Sequence, residues 1–337
     1  MRAVVVRRPG AFELSDVPDP APGPGQVVVE VAVCGICGTD LHIVDGEFPP
    51  APYPIVPGHE FAGQVVEIGA GPDAAERGLE VGARVAVDPS LFCGRCGSCR
   101  AGRGNLCSNW GATGDTVDGA FARYVVVPAG NAYVLPEHVG FHAGALVEPL
   151  SCAVHGVRRL GPLLGRSVLV AGAGTMGLLL GQLVLRSGAR RLVVVDRASG
   201  RLDVALSLGV TEATTSFDAL SEERFDVAID ATGSPAVIEL ALDRLARGGT
   251  LLVFGVAPGD AAIKVSPFRL YNDELTIVGS MAVLHSYAEA MSLVAEGRIE
   301  TGPLLTHCLP LESFAAALAL VRAGEGVKVQ VSPSPAA

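Results

Sequence analysis

The sequence predicts an α/β chain in two parts, a β-rich, barrel-like first half followed by a doubly wound parallel sheet. Three observations carry this. Up to about residue 155, short β-like runs are cut by Gly and Pro at close intervals. From Arg166 onward, continuous apolar runs alternate with stretches of helical period. The composition supplies the means for both: 49% of the residues are hydrophobic, enough for large cores, and 42 glycines and 23 prolines mark many turns. At 337 residues the chain is long enough for more than one domain.

The elements follow in order. Ala3–Val6, Val27–Val33, Gly63–Ile68, Ala83–Val87 and Ala122–Val127 are Val-rich runs of strand length. Pro18–Pro24 reads as a turn and extended connector. In the second part, strands are expected at Ser167–Ala171, Arg191–Val195, Asp226–Asp230, Thr250–Phe254 and Leu275–Val278. Helices are expected between them at Thr175–Ser187, Ser199–Leu208 and Pro235–Ala246. Strands that are apolar throughout, without alternation, are those covered by helices on both faces. Ser286–Glu296 and Leu311–Ala323 then read as helices and Lys328–Val331 as a closing strand.

Charge and patterning exclude two classes of partner. A net charge of −10 repels nucleic-acid phosphates. Val168–Leu185 is uncharged and of minimal membrane-spanning length. Its four glycines, at 172, 174, 177 and 181, fit a buried strand, a tight turn and a helix instead. Eight cysteines with no secretory signal at the N-terminus point to a cytoplasmic protein whose thiols bind metal.

The metal pattern is explicit at Cys93, Cys96, Cys99 and Cys107, with two, two and seven residues between successive cysteines. Glycines at 94, 97, 102 and 104 let the loop fold until four thiolates converge on one ion. Four sulfurs leave no open position, so this is a structural zinc site.

The dinucleotide pattern is G-x-G-x-x-G at Gly172, Gly174 and Gly177, after a strand and at the start of a helix, with Asp196 ending the next strand 19 residues beyond Gly177. Gly172 permits the turn, Gly174 admits the pyrophosphate, and Gly177 lets helix and strand pack. Thr175 and Met176 open the helix whose free N–H groups face the phosphates. Asp196 accepts hydrogen bonds from the adenosine ribose and repels a 2′-phosphate, which favours NAD. Arg197 and Arg201 oppose that preference.

The first half holds a second group of ligating residues. Cys37 lies in C-G-I-C-G-T-D-L-H, His59 and Glu60 in P-G-H-E, and Glu148 in V-E-P-L-S. A thiolate, an imidazole and a carboxylate from separate segments suit a zinc site that keeps a position open. No thioredoxin-like pattern surrounds Cys34 and Cys37, which sets aside a redox C-x-x-C.

Taken together, these motifs resemble the zinc-dependent medium-chain dehydrogenase family over almost the whole chain. The resemblance implies a GroES-like catalytic domain at 1–155 with a structural lobe at 90–110, a Rossmann-like coenzyme domain at 156–290, and a return to the catalytic part at 291–337. It implies a catalytic zinc held by Cys37, His59 and a carboxylate, either Glu60 or Glu148, and hence two zinc ions per chain. It also implies an activated alcohol whose carbon gives hydride to the nicotinamide, with Thr39 passing the proton through the coenzyme ribose to His42 and solvent. The segment Glu148–Arg159, E-P-L-S-x-x-x-H-x-x-R-R, looks like the sorbitol dehydrogenase branch. Ile43 and Val44 stand where polyol enzymes place a tyrosine, and the arginine they carry in the segment matching Ser280–Val283 is missing.

The expected activity is oxidation of a secondary alcohol, a polyol or sugar-derived one, to a ketone by a homo-oligomer, dimer or tetramer. The runners-up are threonine 3-dehydrogenase and a simple secondary-alcohol dehydrogenase. A non-catalytic dinucleotide sensor is the reading of another class, and a sensor has no need of an open zinc.

Overall fold

The computed structural model describes residues 1–333 and divides into two compact units, one made of residues 1–151 with residues 283 onward, the other of residues 152–282. The hub of the first unit is the strand Gln26–Gly35. Along its length it pairs antiparallel with Glu60–Ile68, and on its other edge it pairs with Tyr124–Pro128 at its start and Lys328–Ser332 at its end. The strands Leu305–Pro310, Arg84–Val87 and Ala132–Val134 complete a seven-stranded sheet in which only the pair Leu305–Pro310 and Lys328–Ser332 is parallel. Val27, Val29 and Val31 point to one face because side chains alternate along a strand. They are buried with Phe61, Val65, Val85 and Phe121. The helix Phe314–Ala323 closes this core, the Phe314 ring lying 4.8 Å from Phe121. Each such buried aromatic ring contributes about 2–3 kcal/mol.

The second unit is a six-stranded parallel sheet. In spatial order its strands are Glu212–Thr214, Arg191–Val195, Ser167–Ala171, Phe225–Asp230, Leu245–Val253 and Thr276–Gly279. Numbered along the chain this is 3-2-1-4-5-6, the dinucleotide-binding order. Leu169, Val193, Ala228, Ile238 and Leu251 form its core. The apolar stretch from 168 to 185 is divided between the strand Ser167–Ala171 and the helix Thr175–Arg186. Among the described residues no helix is long and apolar enough to cross a membrane.

Three expectations shift. The helix expected over Pro235–Ala246 stops at Asp243, and Leu245 and Ala246 open the next strand, where Leu245 pairs with Phe225 and is buried. Ala11–Asp16 is a strand that the polar sequence concealed; it forms a hairpin with Arg2–Arg8, and Gly10 supplies the left-handed turn at φ 76°. The units divide at 151/152, inside the helix Val147–Arg158, and at 282/283, rather than at 155/156 and 290/291. The second difference has a packing cause. Tyr287 is buried with its ring 4.7 Å from Tyr133, which ties the helix Tyr287–Ala295 to the first unit.

Candidate active site

The four-cysteine lobe is a local structure. Cys96 precedes the short helix Gly97–Arg100, and its sulfur accepts the Cys99 N–H at 3.5 Å. Cys107 accepts from the N–H groups of Cys93 and Asn109, and Cys93 accepts from Cys96. These donors favour thiolates. The Cys99 and Ser108 N–H groups bring Cys96 down to about 5 and backbone donors lower Cys93 as well, while burial and then the neighbouring sulfurs push Cys99 up to about 12. Four sulfurs about a tetrahedral zinc, at a Zn–S distance of about 2.3 Å, stand about 3.8 Å apart. Here the Cys96–Cys99, Cys96–Cys107 and Cys93–Cys107 separations are 3.5, 3.9 and 3.5 Å. The donor set fits the ion.

The second cluster is assembled by the sheet. Cys37 precedes the helix Gly38–Asp45, and its own N–H donates to Asp40 Oδ2 at 2.8 Å. His59 immediately precedes the strand Glu60–Ile68, whose pairing sets Glu60 opposite Gly35. The ligand atoms of Cys37, His59 and Glu60 lie within 4.8 Å of one another, and His59 and Glu60 are buried. Glu148 is also buried, near the start of the helix Val147–Arg158, but stands outside that set. Thr39 Oγ1 lies 3.8 Å from Cys37 Sγ. His42, on the same helix, is one-third exposed and has Nδ1 2.9 Å from Glu47 Oε2.

Four charged residues around these side chains carry no sign of that position in the sequence alone. Asp115 Oδ1 lies 3.0 Å from His59 Nδ1, with Asp40 Oδ1 behind it at 3.9 Å. These atoms are close enough to interact as charges, and all three are buried. Burial alone would lower His59, but Asp115 and Asp40 outweigh it and hold the imidazole well above its usual range. Burial pushes Asp40 itself up to about 7. Lys328, at the start of the C-terminal strand, is 3% exposed and donates to Glu60 Oε2 at 2.5 Å and to the Ile36 carbonyl at 3.1 Å. Burial would lower it; Glu60 first, then Cys37 and Glu148, keep it charged. Glu47, against His42, is the fourth. A buried imidazole with carboxylates behind it, beside a thiol and a further carboxylate, is a donor set that fits a divalent cation.

The second unit forms the dinucleotide cradle. Gly172 has φ 103°. A Cβ at Gly177 would sit 1.8 Å from the Gly172 carbonyl oxygen, so helix and strand touch through bare backbone. At Gly174 the same construction meets only Arg201 Nη1, at 3.8 Å, which leaves room for a bulky anion. Gly174 precedes the helix Thr175–Arg186 and no side chain caps it, so the N–H groups of Thr175 and Met176 open the helix at the cradle. Asp196 is fixed by the N–H groups of Ala173, at 2.6 Å, and Ala198, at 2.8 Å.

Comparison with known proteins agrees with both halves. Residues 23–137 match the family described as "Alcohol dehydrogenase GroES-like domain" and residues 175–296 the family described as "Zinc-binding dehydrogenase". D-arabinitol dehydrogenase 1 of Uromyces fabae is 33% identical, covering 99% of this chain and 97% of its own. L-threonine 3-dehydrogenase of Saccharopolyspora erythraea is 36% identical, covering 98% of each. A zinc-binding dehydrogenase of Sinorhizobium meliloti 1021, solved with NADP bound, superposes with a TM-score of 0.91 at 35% identity, over 98% of this chain and 99% of that one.

Proposed function

The chain belongs to the zinc-binding dehydrogenase family, and from that premise we propose that it oxidises a secondary alcohol, a polyol or sugar-derived one, to a ketone with hydride transfer to NAD. The observation that carries this reading is the set of Cys37, His59 and Glu60, whose ligand atoms lie within 4.8 Å of one another, the last two residues buried. Cys37, His59 and a carboxylate would hold the catalytic zinc, and Cys93, Cys96, Cys99 and Cys107 the structural one. When bound, the metal polarises the alcohol hydroxyl and the nicotinamide ring accepts the hydride.

The chain's own residues orient the substrate and move the proton. Thr39, beside the Cys37 sulfur, takes the hydroxyl proton as it releases its own, and His42, whose ring Glu47 holds near the surface, is the last group before solvent. His42→Ala slows turnover by up to about 10²-fold, the low end for a proton-transfer residue because water substitutes for it. Glu148 accepts a hydrogen bond from a second hydroxyl next to the reacting one. Losing such a partner costs about 1–3 kcal/mol, which separates a diol from a mono-alcohol by about ten- to a hundredfold.

A relative named for D-arabinitol supports the polyol, and one named for L-threonine supports threonine as the competing substrate. Reduced-nicotinamide formation with matched diols and mono-alcohols and with L-threonine decides between them. Mono-alcohols turned over as well as their diols would end the polyol reading, and a kcat/KM highest on threonine would replace it.

Cofactor preference rests on Asp196. One like-charge contact near 4 Å is worth at most about 4 kcal/mol at an effective dielectric near 20, and Arg197 and Arg201 reduce it. Equal kcat/KM with NAD and NADP would show that the arginines prevail. The protein is read as cytoplasmic, on five of its eight cysteines standing in metal-ligating groups. It is also read as a homo-oligomer, dimer or tetramer. Phe268 and Tyr271, both largely exposed, support association, and a sedimentation experiment giving the monomer mass would oppose it.

A further inference from the structure

Lys264 and Lys328 are the chain's two lysines among 25 basic residues; every other cation is an arginine. One of the two is buried in the candidate active site and the other is exposed. We propose that Lys328 is a positioning residue that shares the Glu60 carboxylate with the catalytic metal and so keeps Glu60 a displaceable ligand. The inference rests on the reading of the Cys37–His59–Glu60 set as that metal's site.

Glu60 lies in a berth made for it. It is 1% exposed, and a Cβ on Gly35 would come within 2.2 Å of Glu60 Oε2, so the strand opposite is bare where the carboxylate lies. From the other side the Lys328 ammonium takes that same oxygen at 2.5 Å and is anchored by the Ile36 carbonyl. Glu60 also belongs to the group of ligand atoms within 4.8 Å. One carboxylate therefore has two claimants, an ammonium and a divalent cation. Electron density drawn toward the N–H donor is lost to the metal bond, so a Glu60 shared in this way yields more readily to an incoming hydroxyl.

Charge leads to the same conclusion. The buried carboxylates of Glu60 and Glu148, with Asp115 and Asp40 behind His59, gather negative charge around the cluster, and Lys328 is the ammonium set among them. Lysine also suits the berth better than arginine. Two acceptors, Glu60 Oε2 and the Ile36 carbonyl, meet a compact head with three donors, whereas a guanidinium would bring five in a fixed fork and bury several without partners.

The test uses full-length enzyme carrying zinc in the cysteine lobe and Co²⁺ in the second site. Visible absorption follows imidazole binding to the cobalt, and a chelator measures cobalt release. In Lys328→Met, Glu60 binds the metal undivided: imidazole binds about tenfold or more weakly and cobalt leaves more slowly. Glu60→Gln in the Lys328→Met background restores both. Wild-type imidazole affinity in Lys328→Met, or a double variant as impaired as the single one, overturns the proposal. If Lys328→Met does not fold, Lys328→Gln is read by the same two measurements, and the near-isosteric Glu60→Gln checks the bond on which the proposal stands. Faster cobalt release and a changed cobalt spectrum support a Glu60–metal bond, and an unchanged spectrum and rate overturn it. A wild-type enzyme that passes these tests yet oxidises no alcohol removes the proposed function and leaves the role of Lys328 standing.

Discussion

The four cysteines of the lobe come from fifteen consecutive residues, Cys93 to Cys107, while Cys37, His59 and Glu60 are delivered by a helix start, a loop end and a strand. In the lobe the supporting contacts are N–H groups of the same loop pointing at sulfur, and Cys93, Cys96 and Cys99 are only partly buried. In the second cluster the supports are themselves charged and buried: Asp115 and Asp40 behind His59, Lys328 behind Glu60. The lobe is a clip that a short segment can close on its own. The second cluster is held by the packed sheet, which allows a ligand set to stay incomplete and still be rigid. Loss of the first should therefore be felt in stability, and loss of the second in turnover.

The largest expected effect tests that division directly. Cys37→Ala should lower turnover by more than about 10³-fold, the scale of several kcal/mol of charge stabilisation. It should also remove one metal equivalent and leave dinucleotide affinity unchanged, because the cradle belongs to the other unit. Turnover that survives loss of that equivalent would break the assignment. Asp115→Asn is expected to weaken metal binding at the second cluster by about 10–100-fold, as for other partners of metal-bound histidines, with the lobe's metal unaffected. Competition with a chromogenic chelator reads both sites, and equal weakening of the two would point to general loosening. Cys99→Ser should lower Tm by about 5–10 °C, equivalent to about 2–3 kcal/mol, while kcat of the folded fraction stays within about twofold. A kcat loss matching that of Cys37→Ala would erase the distinction between clip and reaction centre. The finest test is the order of release under a mild chelator. The site with an open position should empty first, with activity falling in step and Tm changing only afterwards.

The same contrast explains what the sequence could disclose. The cysteine spacing and the glycine fingerprint are readable because each fits within one turn-and-helix segment. The order of the parallel sheet follows, because an apolar strand, a helix and another strand leave few ways to connect. Cys37, His59 and Glu60 are recognisable as types, but their convergence depends on the register that sets Gly35 opposite Glu60. Lys328 is 268 positions from Glu60, in a strand that reads only as apolar alternation, and no local pattern joins them. Asp115 sits between Gly114 and Thr116, where a turn carboxylate is the ordinary reading until the fold buries it against His59. Ala11–Asp16 is hidden for a different reason: its faces are half-exposed, so the hydrophobic pattern that marks a strand is weak there.

Burial of Lys328 also governs how the protein meets amine-directed chemistry. Acylating and imidating reagents attack free primary amines and pass over guanidinium groups. With one of two lysines enclosed, Lys264 is the exposed lysine that the folded chain offers such reagents. A dye or a surface linker would thus be carried at essentially one position, on the coenzyme-binding unit, and labelling at Lys328 would report that the sheet around Glu60 had opened.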